Sequence, residues 1–337
     1  MWPRLEINLS KIQENTKVIT EIIQQYGGQV DGVVKVVAGE PAVARAMLAG
    51  GLQGLADSRL ANIIRMRLAG INCPITLLRS PALSEIAQVI EYTDLSLNSE
   101  KTVLAALAKE ASRQGKTHKV IVMTDLGDGR EGVAPAHLAD LVAYTRSLNN
   151  IELVGVGTNF TCFSGQPPTL EQLRKLVELK EQLAQGIDLL ISAGTSSTLH
   201  LINSGQWQAA WLKQINHWRI GESIFFGHDI ITQQPLANCW QNACLLKAEI
   251  IEIQEKDPFG DQRAKRGIVA LGTQELGAGS LRPISAGVQV LGASSDHLVV
   301  SLTKDYKIGD ILSFSLDYQA LLVSATSPYV QVICIKD

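Results

Sequence analysis

Between residue 10 and about residue 235 the chain repeats one rhythm, a short apolar segment followed by an amphipathic helical one. The apolar segments centre on Val33, Leu55, Thr76, Leu95, Ile121, Val154, Leu190 and Arg219. Helical stretches such as PAVARAMLAGG, SRLANIIRMRLAG and TLEQLRKLVELKEQLAQG fall between them. Strands that alternate with helices pair in parallel, joined by right-handed crossovers. Eight such units over roughly 220 residues predict a (β/α)8 TIM barrel, an α/β fold. A doubly wound sheet shares the alternation, but eight even repeats without a Gly-rich dinucleotide turn favour the barrel.

The rhythm changes after residue 235. ACLLKAEIIEIQE, RGIVALGTQEL, VQVLGASS, HLVVSLT, DILSFSL and SPYVQVICIK read as short strands between Gly, Asp, Ser or Pro turns. The expected organisation is a barrel over residues 10–235 and an all-β C-terminal domain over 236–337, joined by the N-terminal segment 1–9 that carries RLEINL. With 46% apolar and 19% charged residues, the chain has a globular composition. A net charge of −3, with no basic stretch or acidic tail standing out, argues against nucleic acid and anionic membranes as partners. The cysteines (73, 162, 239, 244 and 334) are odd in number and irregular in spacing, which argues against a disulfide framework. MWPRLEINLSKIQENTK is too polar for a signal peptide, and no apolar run reaches membrane-spanning length. The expected setting is cytoplasmic.

Polar residues at the carboxyl ends of barrel strands face the active-site mouth. The candidates are Lys35, Asp57 with Ser58 and Arg59, Arg79, Asp125 with Arg130, Thr158 with Asn159, Thr195 with Ser196, and Arg219. Lys35 stands in the apolar run DGVVKVVAG, where a lysine needs a partner or a chemical use. DLGDGREG, SAGTSST and RIGES are glycine-containing turns whose backbone amides suit a phosphate. A phosphate cradle beside one lysine points to a phosphorylated carbonyl cofactor, of which pyridoxal phosphate is the commonest. Each feature also has an ordinary reading. Lys35 can snorkel from a strand end, SAGTSST can cap a helix, Arg219 can pair with Glu222, and Arg130 can be a surface residue. Their concurrence at the strand ends of one barrel favours a site.

RLEINLSKIQENT, VVKVVAG and RIGESIFFG, in this order, resemble the alanine racemase family of fold-type III pyridoxal phosphate enzymes. DSR, GTNFTCF, INHWRIGE, ASSDH and DY followed by SPYV are similar to its ornithine and amino acid racemase branch, and the resemblance covers nearly the whole chain. It implies an amino acid racemase that uses pyridoxal 5′-phosphate and moves the α-proton with two bases. Lys35 would carry the cofactor as a Schiff base and act as one acid/base. Arg130 would reach the cofactor's phenolic oxygen, and Asn159 would stand where alanine racemases place a histidine against the ring. Thr195, Ser196, the amides of Gly221 and Glu222, and Tyr318 would contact the phosphate. Arg219 would face the pyridine nitrogen, and an always-charged guanidinium there leaves that nitrogen unprotonated.

The departures concern the second base. VALGTQEL, which corresponds to the stretch holding the family's second tyrosine base, has no tyrosine. His297, in SSDH, suits proton transfer near neutral pH but equally suits a turn. Cys162, in NFTCF, offers a thiol or a small packing residue. Gly39 replaces the tyrosine that follows the lysine strand, and an opened pocket would take a side chain longer than alanine's, such as that of ornithine or lysine. The family also implies a head-to-tail homodimer. A non-catalytic pyridoxal phosphate carrier shares the barrel but lacks a β-domain. A D-threonine aldolase or D-serine dehydratase requires a C-terminal His-x-Cys metal pair, whereas Val332 stands two residues before Cys334. No metal is expected.

Overall fold

Eight parallel strands leave no edge to protect once the last pairs with the first, and this chain closes its sheet in that way. The computed structural model describes residues 2–183, 188–256 and 264–336. Strand β1 (Arg4–Asn8) is followed by the barrel strands in chain order. These are β2 (Gln29–Val33), β3 (Gly54–Asp57), β4 (Ile75–Leu77), β5 (Leu95–Asn98), β6 (His118–Met123), β7 (Ile151–Gly157), β8 (Leu190–Thr195) and β9 (His217–Ile220). Strand β9 pairs with β2 to close the barrel, so all eight expected strands are present.

The helices are α1 (Leu9–Gln24), α2 (Pro41–Ala49), α3 (Leu60–Leu68), α4 (Ile86–Tyr92), α5 (Lys101–Arg113), α6 (Leu138–Arg146), α7 (Leu170–Leu183) and α8 (Leu199–Asn203), with α9 (Glu222–Phe226) after β9. Each long helix buries one stripe. In α5 the buried positions are Leu104, Leu107, Ala108 and Ala111, the i, i+3, i+4, i+7 pattern of a one-sided helix. Among the described residues no helix is long and apolar enough to cross a membrane.

The run VDGVVKVV reads as one strand from its β-branched content, but β2 stops at Val33. Val34 N still donates to Ala56 O (3.0 Å), and Lys35–Val37 then coil into a 3-10 turn. The chain must reverse into α2, which Pro41 opens with its fixed φ. Ala38 (φ 52°) and Gly39 (φ 63°) make that reversal through left-handed backbone. A Cβ on Gly39 would stand 2.8 Å from Asn62 Cβ. Lys35 therefore lies just beyond the sheet and is half-buried.

Contacts divide the chain into a unit of residues 13–35 and 39–239, which holds the barrel, and a unit of residues 1–12, 36–38 and 240–337. The second unit contains β10 (Cys244–Lys256), β11 (Ala264–Val269), β12 (Leu281–Pro283), β13 (Val288–Ala293), β14 (Leu298–Leu302), β15 (Ile311–Leu316) and β16 (Gln331–Ile335). Their order is β12-β15-β10-β11-β14-β13, and β1 pairs antiparallel with β10 and parallel with β16. Two segments depart from the all-β expectation. TQEL forms α10 (Thr273–Leu276), with Gly272 N donating to Glu275 Oε2 at 2.7 Å. YQALLVSAT forms α11 (Tyr318–Thr326), whose first turn is capped by Asp317 accepting from Ala320 N at 2.8 Å.

Strands β8 and β9 are fixed from the barrel's outer side by Trp218, which is fully buried and tilted against Trp207 at 5.3 Å between ring centroids. Its Nε1 donates to Ile215 O (3.0 Å). The indole fills the space that a side chain at Gly194 would need, and the β8–β9 ladder shifts register between Ser192 and Gly194. Such a shift re-aims the residues that follow, here Thr195 and Ser196. Gly194→Ala is expected to overpack this point and cost about 1–3 kcal/mol, lowering the Tm by several degrees. Gly292→Ala, on β13 with open space for the new methyl, is the comparison and should shift stability by less than about 0.5 kcal/mol. Equal Tm values for the two variants would contradict the packing role of Trp218.

Candidate active site

In-register partners on parallel neighbours face the same side of a sheet. Asp31 is level with Gly54 on one neighbour and Arg219 on the other, and Val33 is level with Ala56. Asp31 Oδ2 accepts from Thr76 Oγ1 (2.7 Å), reaching past β3, which offers only Gly54 at that level. The same oxygen meets His217 Nε2 at 3.1 Å, and His217 Nδ1 meets Ser192 Oγ at 2.8 Å. A carboxylate at Asp31 requires Nε2 to donate, so a neutral ring accepts from Ser192 at Nδ1. One polar chain thus links β4, β2, β9 and β8 across the barrel interior. Sequence reading passed over it, although Asp31 in an apolar strand carries the same signal as Lys35.

Arg219 continues this face. It is buried at 7% exposure, and its three hydrogen bonds all go to neutral oxygens. Nη1 donates to Asn159 Oδ1 (2.9 Å), and Nη2 donates to Thr158 O (2.8 Å) and Ser192 O (3.3 Å). Nε is buried with no hydrogen-bond partner. Burial pushes the guanidinium down to about 10; Cys162 and Asp31 oppose that shift, and Arg130 adds to it. Arg219 therefore keeps its charge at neutral pH.

Asn159 lies just past β7 and is buried; its Nδ2 donates to Glu131 Oε2 (3.3 Å). Glu131 Oε2 also stands 3.3 Å from Arg130 Nη2, and Asp128 Oδ2 stands 3.4 Å from Arg130 Nε. Arg130, Asn159 and Arg219, expected from sequence, are thus joined through Glu131, which was not. Cys162 is exposed on the loop after β7, where its N–H donates to Phe160 O (2.8 Å).

Between β7 and β9, Thr195 ends β8. Its Oγ1 meets Ser197 Oγ (2.8 Å) and Thr198 Oγ1 (3.0 Å) and accepts from Thr198 N (3.2 Å). Ser196 Oγ accepts from Gly221 N and Ser223 N, each at a long 3.4 Å. Ser223 Oγ is buried without a hydrogen-bond partner. A Cβ on Gly221 would lie 3.0 Å from both Val33 O and Val33 Cβ, so the backbone passes close to the end of β2. Glu222 begins α9 beside this turn.

Other strand-end candidates serve the scaffold. Asp57 shares the outward face of β3 with Leu55, accepting from Arg59 N (2.8 Å) and, on both oxygens, from Asn62 Nδ2 (3.0 and 3.1 Å). Burial pushes its carboxyl up to about 6, with those hydrogen bonds and the charge of Lys35 pulling the other way. Arg79 is 41% exposed and pairs with Glu85 at 3.8 Å. Asp125 accepts from the amides of Gly127, Asp128 and Gly129, shaping its own loop. His297 and Tyr318 belong to the β unit. His297 is exposed in the turn between β13 and β14, its carbonyl accepting from Ser294 N (2.8 Å), and Tyr318 opens α11 half-buried.

Comparison with known proteins places this geometry. The model of the alanine racemase N-terminal domain matches residues 7–229. A lysine racemase of Thermotoga maritima is 36% identical over 99% of this chain and 98% of its own. An ornithine racemase of Acetoanaerobium sticklandii is 33% identical over 98% of this chain and 99% of its own. An alanine racemase of Methanococcus maripaludis matches less of each, 32% identical over 57% of this chain and 53% of its own. Among solved structures, the alanine racemase of E. faecalis superposes with a TM-score of 0.73 at 18% identity, covering 99% of this chain and 98% of that one. A D-threonine aldolase from Filomicrobium marinum reaches 0.79 at 15% identity, covering 100% and 91%. Those two likenesses establish the shared architecture of barrel and β unit, and the sequence matches establish descent: the chain belongs to the alanine racemase family.

Proposed function

We propose that this chain is a pyridoxal 5′-phosphate-dependent racemase whose substrate is an amino acid larger than alanine, of the lysine or ornithine kind. The observation that carries the reading is Lys35 at the exit of β2, next to a strand whose buried Arg219 has an unpartnered Nε, in a chain alike end to end to a lysine and an ornithine racemase.

The residues present fit that cofactor. The orphaned Arg219 Nε matches an aromatic nitrogen acceptor. Ser223 Oγ has no partner, and the amides of Gly221 and Ser223 reach Ser196 only over 3.4 Å, so these donors have capacity for phosphate oxygens. In this reading Lys35 would hold the cofactor, Arg130 would contact its phenolic oxygen, Asn159 its ring, and Thr195, Ser196, Gly221 and Glu222 its phosphate. Bound there, pyridoxal phosphate supplies the electron withdrawal that makes the α-proton of an attached amino acid removable. Arg219 offers a hydrogen bond and no proton to the ring nitrogen, because it retains its own proton to about pH 10. Lys35 takes or returns the proton on one face of the α-carbon. The opposite face needs a second carrier, and Cys162 and His297 are the two candidates. The assembled form in this reading is a head-to-tail homodimer in the cytoplasm, where five free cysteines stay reduced.

Incubated with cofactor and a panel of single-enantiomer amino acids, the protein is expected to invert lysine or ornithine, followed by chiral chromatography. Inversion of none of them would overturn the racemase reading and promote a non-catalytic cofactor carrier. Cys162→Ser and His297→Asn identify the second proton carrier. Replacing it should lower turnover by about 100-fold or more while cofactor absorbance is kept. Turnover within a few-fold of wild type in both variants would remove both residues from proton transfer.

A further inference from the structure

Among the described residues Arg130 makes no hydrogen bond, and its guanidinium is held by charge alone. The two carboxylates beside it are unlike. The Glu131 side chain is 28% exposed, and the oxygen that faces Arg130 also serves Asn159. The Asp128 side chain is 1% exposed, and its two oxygens do different work. Oδ1 accepts from Phe163 N (3.0 Å), Ser164 N (3.2 Å) and Ser164 Oγ (3.4 Å), on the loop that carries Cys162. Oδ2 is buried, accepts no hydrogen bond, and stands 3.4 Å from Arg130 Nε.

The loop does not need this second oxygen for its shape. Asp125 already caps the amides of Gly127, Asp128 and Gly129. Gly127, Gly129 and Gly132 supply the left-handed turns, and a Cβ on Gly132 would press on the Thr124 backbone at 2.6 Å. The bonds made by Oδ1 ask only for an acceptor, which an amide or hydroxyl would provide equally. Burying a full carboxylate is costly unless its charge is used, and the nearest cation is Arg130. Water and salt screen that pair only in part, because Asp128 is buried although the Arg130 side chain is 38% exposed.

We propose that Asp128 is a positioning residue. One oxygen fixes the loop bearing Cys162, and the other aims the Arg130 guanidinium at an anionic oxygen of the bound cofactor, so a single buried carboxylate sets two sides of the mouth. The proposal rests on the reading of Arg130 as a cofactor contact, and the test separates the two. The full-length protein, stripped of cofactor, is titrated with pyridoxal phosphate by absorbance as wild type, Asp128→Asn, Arg130→Ala and the double variant, with Tm measured for each. Asp128→Asn keeps the loop acceptor, so its Tm is expected to stay within about 2 °C while the Kd rises about tenfold. The double variant is expected to bind no worse than Arg130→Ala, because Asp128 acts through Arg130. If Arg130→Ala weakens binding and Asp128→Asn does not, or if the two losses add, the proposal is overturned. If Arg130→Ala binds as wild type, the reading of Arg130 fails and takes the proposal with it. Asp128→Ser, a smaller residue that still offers the loop an acceptor, repeats the test should the asparagine variant not fold.

Discussion

A buried guanidinium with only neutral hydrogen-bond partners is the constraint around which the barrel's mouth is organised. Arg219 cannot shed its charge cheaply, and it cannot reach water. It is satisfied by oxygens from two segments, the β7–α7 connection (Thr158, Asn159) and β8 (Ser192), so placing it fixes both against β9. The carboxylates that balance it act without direct contact: Asp31 is level with it on β2, and Glu131 lies behind Asn159. A guanidinium so held is rigid, and its unpartnered Nε is a donor waiting for an acceptor.

The same logic of charges held at second remove recurs around it. Asp31 is met by His217, which is met by Ser192, which in turn supplies a carbonyl to Arg219. Asp128 and Glu131 flank Arg130 without closing on it. The mouth therefore presents preset cations whose hydrogen-bonding capacity the protein does not fully consume: Arg219 keeps Nε, and Arg130 is held by charge alone. That is the arrangement expected where a ligand must complete the site.

The barrel was legible because its evidence is local and repeated. Eight apolar segments alternating with one-sided helices specify parallel pairing wherever each strand begins or ends. Lys35 was legible for the opposite reason, as a local exception in an apolar run, although β-branched propensity placed it inside a strand that ends at Val33. What was hidden is long-range. Asp31 and His217 are 186 residues apart in the chain, and no periodicity joins them. Asp128 and Glu131 carried no signal within DLGDGREG because their partners, Phe163, Ser164 and Asn159, are brought close only by the fold. In the β unit, helix α11 was missed because YQALLVSAT mixes apolar and small residues with no marked face, and its Asp317 cap is a single short signal.

The central claim is that Lys35 is the amine that carries the cofactor. Borohydride reduction of the protein loaded with pyridoxal phosphate, followed by proteolysis and peptide mapping, tests it most directly. The account predicts a reduced pyridoxyl group on the peptide containing Lys35 and on no other. A label on a different lysine, or none on Lys35, would contradict it.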